Sequence, residues 1–114
     1  MKIDLRDVHS SSVVIASACR RLSLHDVLRL LWKVYQVRGG TYYKLSMQTS
    51  LSKGEIKRMI AGKHGVSLCL PSRLLDEIFP SHHDRIRYFS LIDQIFQKFR
   101  ASSDRWEGFL DASA

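Results

Sequence analysis

Apolar positions recur along this chain with the three-to-four-residue spacing of amphipathic helices, and residues able to cap a helix stand before the runs. The clearest run holds Val27, Leu28, Leu30, Leu31, Val34 and Tyr35, with Arg29, Lys33 and Gln36 between them. Ser23 and Asp26 give it a serine–acid start, and Gly39-Gly40 ends it. Upstream, Val13 to Leu22 predicts a shorter helix opened by Ser10-Ser11-Ser12, which leaves the first nine residues as an arm. Downstream, Thr41 to Lys63 predicts two short helices joined by a tight turn. Leu45, Leu51, Ile56 and Met59 supply their shared apolar side, and Ser50 sits at the bend. Ser52 and Glu55 form an S-x-x-E capping box, and Gly62 stops the second helix.

After a loop from Gly62 to Leu70, Pro71 predicts the first residue of another short helix, whose Leu74, Leu75, Ile78 and Phe79 stop before Pro80. From near Ser81 a single last helix is expected, carrying Ile86, Tyr88, Phe89, Leu91, Ile92, Ile95, Phe96 and Phe99. Its apolar face is wider than one stripe, which fits either a central core helix or, the preferred reading for so aromatic a face, contact with a second protomer as well as with its own domain. The expected dimer interface is Ile86, Phe89, Ile92, Ile95, Phe96 and Phe99. Trp106, Phe109 and Leu110 predict a final docked turn in a polar tail.

Two short helices at a steep angle, the second opening on basic residues, form a helix-turn-helix whose second helix fits the major groove of DNA. Charge adds to that picture. The chain of 114 residues carries a net charge of +7, which favours an anionic partner. Residues 41–63 hold Lys44, Lys53, Lys57, Arg58 and Lys63 against Glu55 alone, a net of +4, while the tail from Ala101 is net negative. Positive charge is thus richest where the groove-reading helix is expected.

Other chemistries find little support. Cys19 and Cys69 are isolated, with no C-x-x-C spacing, and read as small buried hydrophobes and not as a metal or disulfide framework. His82-His83-Asp84 reads as a polar helix start, since adjacent helical residues diverge by about 100° and no further ligand stands at metal spacing. No phosphate loop, nucleophile elbow or paired-carboxylate pattern is present, so no enzyme activity, metal or cofactor is expected. The longest apolar run, Val13-Val14-Ile15-Ala16, is too short to span a bilayer, and Met1 to Asp7 lacks a signal-peptide apolar region. A cytoplasmic location without membrane association is the expectation.

With those residues in view, Ser23 to Phe79 resembles the lambda-repressor/Cro-like (XRE-type) DNA-binding family. Arg38-Gly39-Gly40-Thr41 looks like the family's junction between its first two helices, and Tyr42 to Met59 fits its two-helix motif without a gap. Gly62-Lys63 is similar to its glycine–basic pair after the recognition helix, and Leu70-Pro71 with Leu74-Leu75-Ile78-Phe79 to its fourth and fifth helices. The chain departs from the family at Ser46, Thr49 and Ser50, where small Ala, an apolar residue and Gly are usual, and at Tyr42, where Gln is frequent.

The resemblance implies an all-α fold: a compact helical domain with a lambda-repressor-like helix-turn-helix core plus N-terminal and C-terminal helical extensions. The corresponding division is residues 1–22, an arm and short helix; 23–79, the DNA-binding domain; and 80–114, a dimerising helix and tail. It places base reading on Ser52, Lys53, Gly54, Lys57 and Arg58, where Lys and Arg can donate to guanine O6 and N7. It places backbone contacts on Thr41, Tyr42, Tyr43, Lys44, Lys63 and His64, with Tyr43 also readable as core. The implied function is a homodimeric transcriptional regulator, a repressor on a palindromic operator in double-stranded DNA. Two rivals stand beside it: an antitoxin of the same fold with a toxin protein as partner, and a basic helical protein-interaction module that does not bind DNA.

Overall fold

Most helices begin where the sequence offers an acceptor for the first unpaired amides. Asp7, Ser23, Thr41, Ser52 and Ser81 each accept a backbone N–H three residues on. In the computed structural model, residues 4–63 and 65–113 are described, with side chains through Ala101. Among the described residues there are seven helices and no strand. They are α1 (Val8–Arg21), α2 (Leu24–Val37), α3 (Tyr42–Thr49), α4 (Lys53–Ile60), α5 (Cys69–Ile78), α6 (His82–Arg87) and α7 (Phe89–Ser113). The all-α expectation holds.

Three boundaries differ from expectation. Helix α1 starts at Val8, because the Asp7 carboxylate takes the Ser10 amide at 2.9 Å and begins the helix ahead of the serines. Ser11 and Ser12 are instead buried inside it, and their hydroxyls donate to the carbonyls of Leu5 and His9. Helix α5 opens at Cys69, which places Pro71 third in the helix, where the missing N–H has no intrahelical partner to lose. Cys69 is exposed at this helix start and not buried, whereas Cys19 packs half-buried against the core. The single last helix is two: Tyr88 leaves helical geometry (φ −106°, ψ 22°), and its ring packs on Phe79 at 5.4 Å while its hydroxyl meets His9 Nδ1 at 3.2 Å.

Helix α2 is the centre of the packing, with Val27, Leu28, Leu31 and Val34 fully buried against α1, α4 and α5. One continuous core takes Ile15 from α1, Leu45 from α3, Ile56 and Met59 from α4, Leu74 and Ile78 from α5, and Ile95 and Phe99 from α7. The expected three segments therefore share one interior. Arg38, just past the end of α2, braces the N-terminal arm, α1 and the end of α5 to it. Its guanidinium donates to Leu5 O at 3.2 Å, to Ser11 Oγ at 2.9 Å and to Ile78 O. Burial holds the Arg38 pKa below its ordinary value, with the carboxylates of Asp7 and Asp84 acting against that shift. Gly40 lies flat against the Tyr35 ring, and a Cβ there would overlap it.

Helix α7 lies along α1 and α5, and that packing uses part of the apolar surface expected to face a second protomer. Ile95 and Phe99 are fully buried within the chain's own core, a correction to their assignment as interface residues. Ile92 and Phe96 are half-buried against the same core, and only Ile86 (64% exposed) and Phe89 (67%) stand out in solvent. The side chains of Trp106, Phe109 and Leu110 lie outside the described residues. No described helix is long and apolar enough to cross a membrane.

Candidate nucleic-acid interface

Helices α3 and α4 are joined by Ser50-Leu51-Ser52, and Ser50 makes the bend in the left-handed region at φ 63°. A residue with a Cβ is unusual there, and such a conformation costs about 1–2 kcal/mol relative to the right-handed one. The turn is held by side chains that bond to it. Ser46 Oγ donates to Leu51 O, and the Leu51 amide donates to Thr49 Oγ1 at 3.3 Å. Helix α4 then starts with Ser52 Oγ accepting the Glu55 amide at 3.1 Å. It ends in a Schellman arrangement: Gly62 N–H to Met59 O, Lys63 N–H to Arg58 O, and Gly62 at φ 81°.

This short helix divides cleanly. Ile56, Met59 and Ile60 are buried, while Ser52, Lys53, Gly54, Lys57 and Arg58 are all exposed on the other side. The five expected base-reading residues therefore share the outward face of one helix. Gly54 is informative. Its φ is not positive, and a Cβ there would meet only Arg58 and Ser52, at 3.5 Å and beyond. Nothing inside the fold requires glycine at that position.

Of the expected backbone contacts, Thr41 caps α3 through Oγ1, which accepts the Lys44 amide at 3.2 Å. Tyr43 is 59% exposed and so is not core. Tyr42 is half-buried, stacked on Trp32 with ring centroids 4.2 Å apart. Both tyrosines meet α4, since Lys57 Nζ lies 5.1 Å from the Tyr42 ring and Lys53 Nζ 5.4 Å from the Tyr43 ring. Lys44 is turned to the α2–α3 junction, where its ammonium donates to Gly39 O at 3.1 Å. Lys63 is exposed just beyond the α4 stop. His64 lies outside the described residues.

Two residues that support the α3–α4 pair escaped the sequence reading. Arg29 on α2 donates from Nε to Ile60 O at 3.1 Å and from Nη2 to Ala61 O at 3.4 Å, satisfying the free carbonyls at the α4 C-terminus. Asp26, itself bonded to Ser23 Oγ, fixes that guanidinium at 2.7 Å. Trp32 is the other, buried to 8% exposure beneath Tyr42. Its position four residues after Leu28, on the core face of α2, was the available signal. For Arg29 the sequence offered only the Asp26 three residues earlier, and nothing pointed to α4.

No protein-family model, curated protein or solved structure matches this chain.

Proposed function

We propose that the chain is a sequence-specific DNA-binding regulator of the lambda-repressor-like helix-turn-helix type, with α4 as its recognition helix. The observation that carries this reading is the division of α4. Three apolar side chains anchor it, and Lys53, Lys57 and Arg58 face outward beside a glycine that the fold does not need. Lys and Arg on such a face donate to guanine in the major groove, and Gly54 lets the backbone approach closely. Lys63 and the α3 N-terminus flank that face, where phosphates would lie.

The regulator is read as a homodimer on an inverted repeat, with Ile86 and Phe89 as the apolar contacts still available to a second copy. Recognition helices one helical turn apart, roughly 34 Å, would set half-site centres about 10 base pairs apart. Repression by occupying a promoter is the leading mechanism. A gel shift with total genomic fragments tests the reading, followed by selection of bound sequences from a random duplex pool. Retention of an enriched, two-fold symmetric sequence is the expected result. Absence of all retardation at low salt would leave a protein-interaction module ahead, for which the exposed Ile86 and Phe89 are the specific observation.

A further inference from the structure

The two lysines of α4 rest on aromatic rings. Lys53 Nζ lies over Tyr43 and Lys57 Nζ over Tyr42, at 5.4 and 5.1 Å from the ring centroids. Tyr42 in turn stacks on Trp32 at an interplanar angle of 22°, and Trp32 belongs to the buried core. Lys57, Tyr42 and Trp32 thus form a continuous stack from the surface to the interior. An ammonium within about 6 Å of a ring face is attracted by the ring quadrupole.

The choice of partner matters chemically. A carboxylate would also fix a lysine, but it would cancel the charge that an anionic ligand needs. A ring face fixes the lysine and leaves its charge whole. Residues 41–63 hold Glu55 as their single acid, and it stands half-buried in the first turn of α4. A lysine already held in place also loses less rotamer freedom when the ligand arrives.

Resting on the DNA-binding reading above, we infer that Tyr42 and Tyr43 are positioning residues whose ring faces, and not their hydroxyls, orient Lys57 and Lys53 toward the nucleic acid. Such a role needs the ring and not the hydroxyl, so phenylalanine can perform it. Tyr43 carries the test because it is 59% exposed, so its loss leaves the fold intact. Tyr42 is tied to Trp32, and Tyr42→Phe keeps that stack.

The test uses the full chain in two measurements. In the free protein, proton NMR of the lysine ε-methylenes should show upfield ring-current shifts for Lys53 and Lys57. The Lys53 shift should persist in Tyr43→Phe and disappear in Tyr43→Leu. In titrations of a random-sequence duplex, Tyr43→Phe should bind as the wild type does, and Tyr43→Leu should bind about two- to fivefold more weakly. In a Lys53→Ala background the Tyr43→Leu change should have no further effect, which a merely structural role would not produce. Equal losses in the Phe and Leu variants would assign the contact to the hydroxyl and overturn the inference. So would an unshifted Lys53 methylene, or a Leu variant that binds like wild type. Shifted lysines in a protein that retards no DNA would overturn the functional reading beneath it instead.

Discussion

Replacing Arg38 by methionine keeps an apolar stem of similar length and deletes the guanidinium that ties the arm, α1 and the end of α5 together. Three acceptors are affected, and they are not equivalent. Leu5 O keeps the Ser11 hydroxyl as a donor, and Ser11 Oγ keeps its own acceptor in Leu5 O. Ile78 O, at the last turn of α5, loses the Arg38 bond without such a replacement. A hydrogen bond from a charged donor contributes about 1.5–3 kcal/mol when sheltered, and an acceptor stripped of its partner costs about 1–3 kcal/mol. Arg38 is half-buried, so solvent screens part of this, and methionine no longer pays the desolvation that depresses the Arg38 pKa. The net expectation is a loss of about 2–3 kcal/mol. With urea slopes of roughly 1–3 kcal/mol per molar, the midpoint should fall by about 0.7–3 M in far-UV circular dichroism. Arg38→Lys, with one compact ammonium in place of a fork, should recover about a third of the loss. A methionine variant within about 0.5 kcal/mol of wild type, or a lysine variant equal to wild type, would show that the three bonds do not brace the fold.

Four further outcomes are expected. Gly54→Ala should stabilise the fold by about 1 kcal/mol in urea titrations, since the helix gains propensity without a clash, while weakening DNA retention in a gel shift. Arg58→Ala should relax operator specificity at one base pair and cost roughly 1–3 kcal/mol of specific binding; Lys63→Ala should weaken all DNA alike and flatten the salt slope by about one unit. Phe89→Ser should convert dimer to monomer by light scattering and change the unfolding free energy of the protomer itself by less than about 0.5 kcal/mol, whereas Ile95→Ala should cost about 2–5 kcal/mol; a wild-type monomer at tens of micromolar would refute the dimer. The Ser10 amide and hydroxyl hold the Asp7 carboxyl below its ordinary 3.8, so its contribution to stability is full above that pH and disappears as pH falls through the lower folded value. Asp7→Asn should therefore flatten the acid limb of a stability-against-pH curve.

Several features of this protein are decided by a few neighbouring residues and were legible without the fold. The caps at Ser23 and Ser52, the stop at Gly62 and the buried side of α4 each depend on spacings of three or four residues. Local hydrogen bonds and helical periodicity settle such features whatever packs around them. The exposed basic face of α4 follows from the same periodicity, since its apolar residues fix which side turns inward.

What depends on distant segments was not legible. The width of the α7 apolar face read as an intermolecular surface, because sequence cannot say how much of it α1 and α5 will cover; Ile95 and Phe99 turned inward for that reason. The break at Tyr88 comes with a ring packed on Phe79 and a hydroxyl on His9, which lies 79 residues away along the chain. Arg29 at the α4 carbonyls and Arg38 across three segments are likewise long-range contacts of long, flexible cations, for which sequence supplies the donors but not the acceptors. Local sequence settled most helix caps and the outward chemistry of α4. Only tertiary packing decided which apolar surface stayed exposed and which cations bond to distant carbonyls.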